Sequence, residues 1–288
     1  MKNFKTFLIS CLLLFVSFST HAQTPSYWSL ALVGDAGVTG SAIQNLRKSI
    51  AQQKVNQVVL LGDNLYSKSQ DYPLVWDPWK QLGFNFFAVA IGNHGKEYKK
   101  EIAYFGMPAE FYTLTNNGVR FIVLNSDNVK KDKEQALFLD TTLNQATEKQ
   151  IYLIYHHASV TVSDNHSWPE KAPFQNLVRP LIAKYHQKIT ALLNGHDHVA
   201  SLLDVSGIPL IVSGATWETL PPKVINGNDG LFQVKTLWNY PGGSYWVRMN
   251  FANDGTRTCA QFIRVDRPEI SLNVQLYPRG QRGVTNCN

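Results

Sequence analysis

The sequence contains a series of short apolar runs that each end in glycine followed by polar residues. The clearest is VVLLGDNLY at residues 58–66, where four apolar residues precede Gly62 and Asp63. A β-branched run that stops at glycine is typical of a buried strand as it leaves its sheet. Ligands of open α/β sheets bind at the carboxyl ends of strands. The pattern therefore predicts that Asp63 lies at a ligand-binding edge of a sheet.

Strand-like runs alternate with amphipathic stretches over most of the chain. We predict strands at 28–34, 57–62, 84–92, 119–125, 151–156, 189–195 and 208–214. We predict helices at 133–146 and 174–186, and one with Ile43, Leu46 and Ile50 on a single face. This alternation indicates a layered α/β core. After residue 230 the pattern changes to strands alone, with a hairpin turn at 253–255.

Residues 1–22 have the layout of a cleavable signal peptide. Lys2 and Lys5 precede an apolar stretch at 7–18, and small residues stand at −3 and −1 of a cleavage site after Ala22. We therefore expect a secreted or periplasmic protein. The residues up to Cys11 superficially resemble a lipoprotein cleavage box, but Cys11 lies inside the apolar stretch, and cleavage there would leave apolar residues behind. No other run approaches the roughly 20 apolar residues that span a bilayer, so we expect no membrane anchor.

The remaining chain, 23–288, suits one α/β domain, with its main core at about 28–217 and a β-rich part at about 230–288. The full sequence has 27 basic and 21 acidic residues; without Lys2 and Lys5 the net charge is +4. This mild charge favours small anionic ligands, and we expect no nucleic-acid partner. We also expect a monomer.

Two cysteines remain, and in an oxidising compartment they predict a disulfide between Cys259 and Cys287.

Five predicted strand ends carry side chains that commonly bind metals. They are Asp35 in VGDAG, Asp63 and Tyr66 in LGDNLY, Asn93 and His94 in IGNH, His156 and His157 in IYHH, and His196 and His198 in NGHDH. Each motif alone is compatible with a turn or a core residue, but strand ends on one edge converge in space. Carboxylates, imidazoles and an amide oxygen suit a pair of hard-to-borderline cations, and a shared carboxylate can bridge them. Asp63 is the candidate bridge.

In this order the motifs resemble the signature of calcineurin-like metallophosphoesterases, over roughly residues 28–217. Most members have a histidine two residues after the first aspartate; here that residue is Gly37, and Tyr66 stands three residues after Asp63 instead. That exchange resembles the purple acid phosphatases, whose small single-domain branch shows GDNxY, GHDH and a VSGA-like strand, as at 212–215. The resemblance implies a four-layer α-β-β-α sandwich with a β-rich C-terminal segment.

The resemblance also implies a binuclear centre with Fe(III) and a divalent ion, either Fe, Zn or Mn. The implied ligands are Asp35, Tyr66 and His198 for Fe(III), Asn93, His156 and His196 for the divalent ion, and Asp63 for both. A phenolate is a hard anionic donor that suits a trivalent ion. Such an ion also lowers the pKa of bound water further than a divalent ion does.

Three other histidines are candidates for catalytic roles. His94 is implied to reach the phosphate group. His166 follows the ligand histidine of the fourth motif by ten residues and is the candidate general acid, with His157 as the competitor. The family usually has an acidic residue after GNH; this chain has Gly95, and Glu97 is a candidate to replace that residue.

The leading hypothesis is an exported acid phosphatase that hydrolyses phosphomonoesters by attack of a metal-bound hydroxide. One alternative is a phosphodiesterase or nucleotidase with two divalent metals. Another is a non-catalytic binding protein with a vestigial metal site. The specificity loops are expected at 66–78 and 163–173, where Trp76, Trp79 and Trp168 either stack on a small phosphate-ester substrate or pack internally.

Overall fold

A computed structural model describes most of the chain after the predicted signal peptide. The described residues are 27–67, 69–95, 97–163, 166, 170–240, 242–267, 269–277 and 284–287. The predicted signal peptide at 1–22 and Trp168 lie outside these residues.

The fold is built on two mixed β-sheets. The strands are β1 (Tyr27–Val33), β2 (Gln57–Leu61), β3 (Asn85–Ala90), β4 (Tyr112–Asn116), β5 (Val119–Val123), β6 (Gln150–Ile154), β7 (Ala191–Asn194), β8 (Ala200–Val205), β9 (Ile208–Ser213), β10 (Asn226–Asn228), β11 (Gln233–Tyr240), β12 (Tyr245–Ala252), β13 (Thr258–Arg264), β14 (Ile270–Leu276) and β15 (Val284–Asn286). The first sheet has the order β15-β14-β13-β12-β1-β2-β3, and the second has the order β10-β11-β8-β9-β7-β6-β5-β4. Strands β4, β8 and β10 lie in segments for which no strand was predicted.

Helices cover both sheets. They are α1 (Ser41–Gln52), α2 (Tyr72–Lys80), α3 (Tyr98–Phe105), α4 (Asp132–Gln145) and α5 (Ala172–Lys184), with a 3-10 turn at Val129–Lys131. Helix α2 begins inside the loop predicted at 66–78, because the side chain of Asp71 caps it by accepting a hydrogen bond from the Leu74 backbone N–H at 2.9 Å. Trp76 and Trp79 are therefore fully buried core residues rather than stacking platforms.

The two cores follow from the alternation of side chains along the strands. In β5, Phe121 and Val123 point into the core between the sheets, whereas Ile122 belongs to the core under α4 and α5. The predicted face of α1 is buried against the first sheet, with Leu46 and Ile50 fully buried. This arrangement confirms the predicted four-layer α-β-β-α sandwich.

The C-terminal strands extend both sheets. Strand β12 pairs antiparallel with β1, and β11 pairs antiparallel with β8. The predicted disulfide between Cys259 and Cys287 is confirmed, and it joins β13 to the end of the described chain. Among the helices that the structure describes, none has the length and apolarity needed to cross a membrane.

Candidate metal centre

The five motifs follow the carboxyl ends of strands that are neighbours in the two sheets. Strands β1, β2 and β3 run parallel in the first sheet, and β6 and β7 run parallel in the second. Parallel neighbours end at the same edge, so their loops face one another. The structure brings together the seven residues predicted as ligands, namely Asp35, Asp63, Tyr66, Asn93, His156, His196 and His198.

Four of these seven residues have a left-handed backbone. Their φ angles are 57° for Asp35, 54° for Asp63, 69° for His196 and 51° for His198. Non-glycine residues adopt this region rarely, and clusters of such residues mark functional sites. The ring of His156 packs directly against the backbone of Gly62, where φ is 99° and a Cβ atom would collide with that ring.

His156 lies at the centre of the buried site. Its Nδ1 is 2.8 Å from the carbonyl oxygen of Leu61, which can only accept a hydrogen bond, so Nδ1 carries a proton. Its Nε2 faces oxygen atoms of Asn93 at 3.1 Å, Asp63 at 3.3 Å and Asp35 at 4.0 Å. A ring nitrogen directed at three oxygens needs either a second proton or a cation between them.

The pKa values of the site's own side chains reflect this need. Burial alone would lower the pKa of His156, but the carboxylates of Asp63 and Asp35 raise it to about 9. Burial would raise the pKa of Asp63, but His156 and the backbone N–H of His94, 2.9 Å from Asp63 Oδ1, hold it well below its usual range. A proton on His156 thus supplies the positive charge that a metal ion would supply.

Tyr66 completes the other side of the site. Its hydroxyl oxygen lies 2.9 Å from Nε2 of His198 and 3.2 Å from Oδ1 of Asp35. Burial, together with the charges of Asp35 and Asp63, raises the pKa of the Tyr66 phenol far above its usual range. Without a cation, this phenol therefore keeps its proton.

His196 and His166 share a carboxylate that was not predicted. Glu170 contacts Nε2 of His196, and its other oxygen lies 3.5 Å from Nδ1 of His166. The rings of His166 and His196 are 4.0 Å apart. The hydrogen bond to Glu170 raises the pKa of His166, so His166 is the histidine of this group that favours an extra proton.

His157 differs from His166 in both burial and charge. Its Nδ1 lies 2.8 Å from the hydroxyl of Ser126, and its ring is 4.2 Å from that of His196. Burial, followed by repulsion from His156 and His196, lowers its pKa well below the usual value. His157 is therefore neutral in the folded protein.

His94 lies at the open side of the site. Its side chain is 46% exposed, and its ring contacts that of Tyr66 with the centroids 4.5 Å apart and the planes tilted by 33°. Glu97 does not orient it: the side chain of Glu97 pairs with Lys100 at 2.8 Å, so that hypothesis is wrong. The buried carboxylate of this region is Glu101, which accepts hydrogen bonds from Asn64 at 2.6 Å and from the Tyr72 hydroxyl at 3.1 Å.

Four side chains around the site were not predicted from the sequence. Glu218 lies 3.1 Å from Nδ1 of His198, and the ring of Trp217 lies 5.4 Å from that of Tyr66. Glu101 lies in α3 and accepts a hydrogen bond from Asn64, the residue after Asp63, and Glu170 lies just before α5 and contacts His196. No motif or spacing links any of the four to the five strand ends.

The donor set fits a metal centre. Asp35, Asp63 and His156 each offer a ligand atom within 4.8 Å of the others, and so do His156, His157 and His196. Nδ1 of His156, the ring nitrogen that faces away from the carboxylates, lies 2.8 Å from a carbonyl oxygen, and such a partner is usual for metal-binding histidines. Nδ1 of His198 lies 3.1 Å from the carboxylate of Glu218.

Comparison of structures identifies proteins with the same fold. One is GAP50, the anchor in the inner membrane complex of Plasmodium, with 14% identity, a TM-score of 0.67 and coverage of 88% of this chain and 89% of that chain. Another is a purple acid phosphatase from seeds of yellow lupin (Lupinus luteus), with 16% identity, a TM-score of 0.68 and coverage of 88% of this chain and 54% of that chain. A third is a dimetal phosphatase from Danio rerio, with 13% identity, a TM-score of 0.58 and coverage of 88% and 99%.

These identities are low, so the likeness concerns the fold. It confirms the four-layer α-β-β-α fold that the sequence motifs implied. The chain spans about half the length of the lupin phosphatase. No protein-family profile matches the chain, and no curated protein matches it in sequence.

Proposed function

We propose that this protein is an exported acid phosphatase that hydrolyses phosphomonoesters at a binuclear metal centre. The observation that carries the proposal is the position of the Tyr66 hydroxyl, 2.9 Å from His198 and 3.2 Å from Asp35. A phenol among an imidazole and a carboxylate forms a hard donor set that suits a trivalent cation.

Each predicted ligand has a defined part in this proposal. The ferric ion would be held by Asp35, Tyr66 and His198, the divalent ion, either Fe, Zn or Mn, by Asn93, His156 and His196, and both ions by Asp63. Such a centre, when bound, supplies an acidic water and offsets the charge of the phosphoryl group.

Two further histidines, His94 and His166, act on the substrate. His94 is half exposed, and its backbone N–H is fixed on Asp63, so its ring is available to donate a hydrogen bond to a phosphoryl oxygen. His166 protonates the leaving alkoxide, because Glu170 favours its charged form while His157 stays neutral. We propose export from the layout of residues 1–22.

A second candidate is a binding protein whose metal site no longer supports catalysis. The observation behind it is the likeness to GAP50, which is described as an anchor. We prefer the enzyme because all seven donor residues are present and together. Hydrolysis of a phosphomonoester by the metal-loaded protein separates the two candidates.

The test combines activity with metal analysis of Asp63→Asn. Loss of one carboxylate charge from the shared position should remove most bound metal and all phosphomonoesterase activity. The matched control is Asp266→Asn, since Asp266 is exposed and pairs with Arg264. Full metal content and full activity in Asp63→Asn, or a wild type that is inactive under every metal loading, would contradict the proposal.

A further inference from the structure

Trp217 is a large aromatic residue exposed at the mouth of the candidate metal centre. Its side chain keeps 37% of its surface accessible although its ring contacts two predicted ligands. The ring centroid lies 5.4 Å from that of Tyr66 at 78°, and 6.1 Å from that of His198 at 66°. An exposed apolar surface beside converging polar groups is typical of a ligand-binding cleft.

The backbone on both sides of Trp217 is tied to the site. The hydroxyl of Thr216 donates to the carbonyl oxygens of Gly34 and Asp35, each at 2.9 Å. On the other side, the carboxylate of Glu218 lies 3.1 Å from Nδ1 of His198. The two hydrogen bonds of Thr216 fix the backbone directly before the indole. A fixed aromatic surface binds a ring with little loss of conformational entropy.

Tyr66 stands between two exposed rings. The imidazole of His94 contacts it in a tilted arrangement, with centroids 4.5 Å apart and an interplanar angle of 33°, while Trp217 approaches it edge to face. Both exposed rings contact Tyr66, so the indole of Trp217 provides an exposed aromatic surface near the histidine that is implied to reach the phosphate. Among organic substituents, a planar ring gains most from such a surface because it buries its face and stacks.

We propose that Trp217 forms a subsite for the aromatic group of the substrate, and that the substrate class is phosphomonoesters whose phosphate is attached to a planar ring. This inference rests on the proposed phosphatase function. Trp217 binds the leaving group and takes no part in the proton transfers, so its effect should depend on the shape of the ester.

The kinetic test compares phenyl phosphate with glycerol 2-phosphate. Trp217→Ala should lower kcat/KM for phenyl phosphate by roughly 5- to 100-fold, the range seen when an aromatic stacking partner is removed. The loss for glycerol 2-phosphate should be much smaller, and Trp217→Phe should restore most of the difference. The control is Leu231→Ala, which removes an exposed apolar side chain, 41% accessible, from another surface.

The ester that loses more activity in Trp217→Ala shows whether the variant has lost a subsite or has disturbed the general acid. Damage to proton donation harms the ester with the poorer leaving group, glycerol 2-phosphate, more strongly. Equal losses for both esters in Trp217→Ala, or a larger loss for glycerol 2-phosphate, would overturn the subsite while the phosphatase function stands.

A binding experiment tests the subsite without turnover. Phenylphosphonate and methylphosphonate carry a P–C bond, and calorimetry gives their Kd values for the metal-loaded protein. The wild type should prefer phenylphosphonate by a factor of the same order as the kinetic effect, and Trp217→Ala should lose that preference. Equal affinities in the wild type, or no binding of either, would overturn the proposal. A preference found in a wild type that lacks activity would support the subsite and refute the phosphatase function.

Discussion

The Nδ1 atom of His156 lies 2.8 Å from the carbonyl oxygen of Leu61, and this contact decides which ring nitrogen faces the candidate metal centre. A carbonyl oxygen accepts a hydrogen bond, so the proton stays on Nδ1 and the Nε2 atom is directed at Asn93 and Asp63. Burial lowers the pKa of His156, but the carboxylates of Asp63 and Asp35 raise it to about 9, which favours a second proton on Nε2 at neutral pH.

Metal loading should therefore depend on pH. Below pH 9 a cation must displace the proton on His156 Nε2, whereas above pH 9 that proton is already lost. The apparent affinity for a divalent ion should rise with pH by roughly tenfold per unit and level off near pH 9. Calorimetry in two buffers of different ionisation enthalpy should detect the release of at least one proton.

The control for this experiment is His186→Gln, because His186 contacts the carbonyl oxygen of Ala183 away from the site. It should leave the pH dependence of metal affinity unchanged. An affinity that stays constant between pH 6 and pH 9 in the wild type would show that His156 loses no proton on metal binding.

Replacement of Tyr66 by phenylalanine tests the phenolate assignment. If Tyr66 binds Fe(III), the oxidised wild type should absorb visible light by phenolate-to-iron charge transfer, and Tyr66→Phe should bleach it and hold ferric iron less tightly. If Tyr66 only donates a hydrogen bond to Asp35, the change should cost about 0.5–1.5 kcal/mol and leave the visible spectrum blank before and after.

The measurement is iron content together with absorbance under oxidising conditions. Tyr72→Phe is a matched control, since its hydroxyl binds Glu101 in a buried region outside the predicted ligand set. A colourless wild type with full iron occupancy would remove the phenolate from the centre and favour the hypothesis of two divalent metals.

His166 and His157 can be separated by the leaving group of the ester. His166→Ala should retain metal and lose roughly 10²–10⁴ in rate on an ester with a poor leaving group, the usual contribution of a general acid. A good leaving group needs little protonation, so it should restore much of that rate. His157→Ala should show no such dependence, because burial keeps His157 neutral.

Rates for an alkyl and a nitrophenyl phosphate, measured with both variants, decide between them. An unchanged rate of His166→Ala on the alkyl ester would exclude His166 from proton donation. A strong leaving-group dependence in His157→Ala would transfer the assignment to His157.

The strand ends of the site were predictable, because the signal for each is local. An apolar run, a glycine and an aspartate are adjacent in sequence, and the parallel order of β1 and β2 brings Asp35 and Asp63 to one edge. The seven donors therefore lie together as expected. The pairing of β12 with β1 was not predictable in the same way, since it joins segments more than 200 residues apart.

The glutamates around the predicted ligands could not be assigned from the sequence, because no local motif marks them. Glu97 was predicted near His94, but α3 begins at Tyr98, so Glu97 precedes the helix and pairs with Lys100 on the surface. Glu101 lies one turn further along and faces inward. Which of two glutamates is buried depends on where the helix begins, and the sequence does not specify that boundary closely.

Glu101 is buried within hydrogen-bond distance of two donors, at 2.6 Å from Asn64 and 3.1 Å from the Tyr72 hydroxyl. Asn64 also donates to the carbonyl oxygen of Ala90 at 2.8 Å, so this network joins α3 to the loop after β2 and to the end of β3. Burial, the largest effect, raises the pKa of Glu101 to about 7 despite both hydrogen bonds. Below pH 7 the neutral carboxyl is therefore the favoured form of Glu101 in the folded protein.

Glu101 should make stability fall as pH rises. Between its ordinary pKa of 4.5 and its folded pKa of about 7, the folded state binds the proton that the unfolded state has lost. From pH 5 to pH 8 this should remove about 2–3 kcal/mol from the free energy of unfolding, and Glu101→Gln should remove that slope. Urea unfolding of the metal-free proteins at a series of pH values measures this slope.

Glu101→Ala, which leaves Asn64 and Tyr72 without their acceptor, should be destabilised at pH 5 relative to the wild type. Parallel pH profiles for wild type and Glu101→Gln would show that the carboxyl ionises in the fold as it does in water.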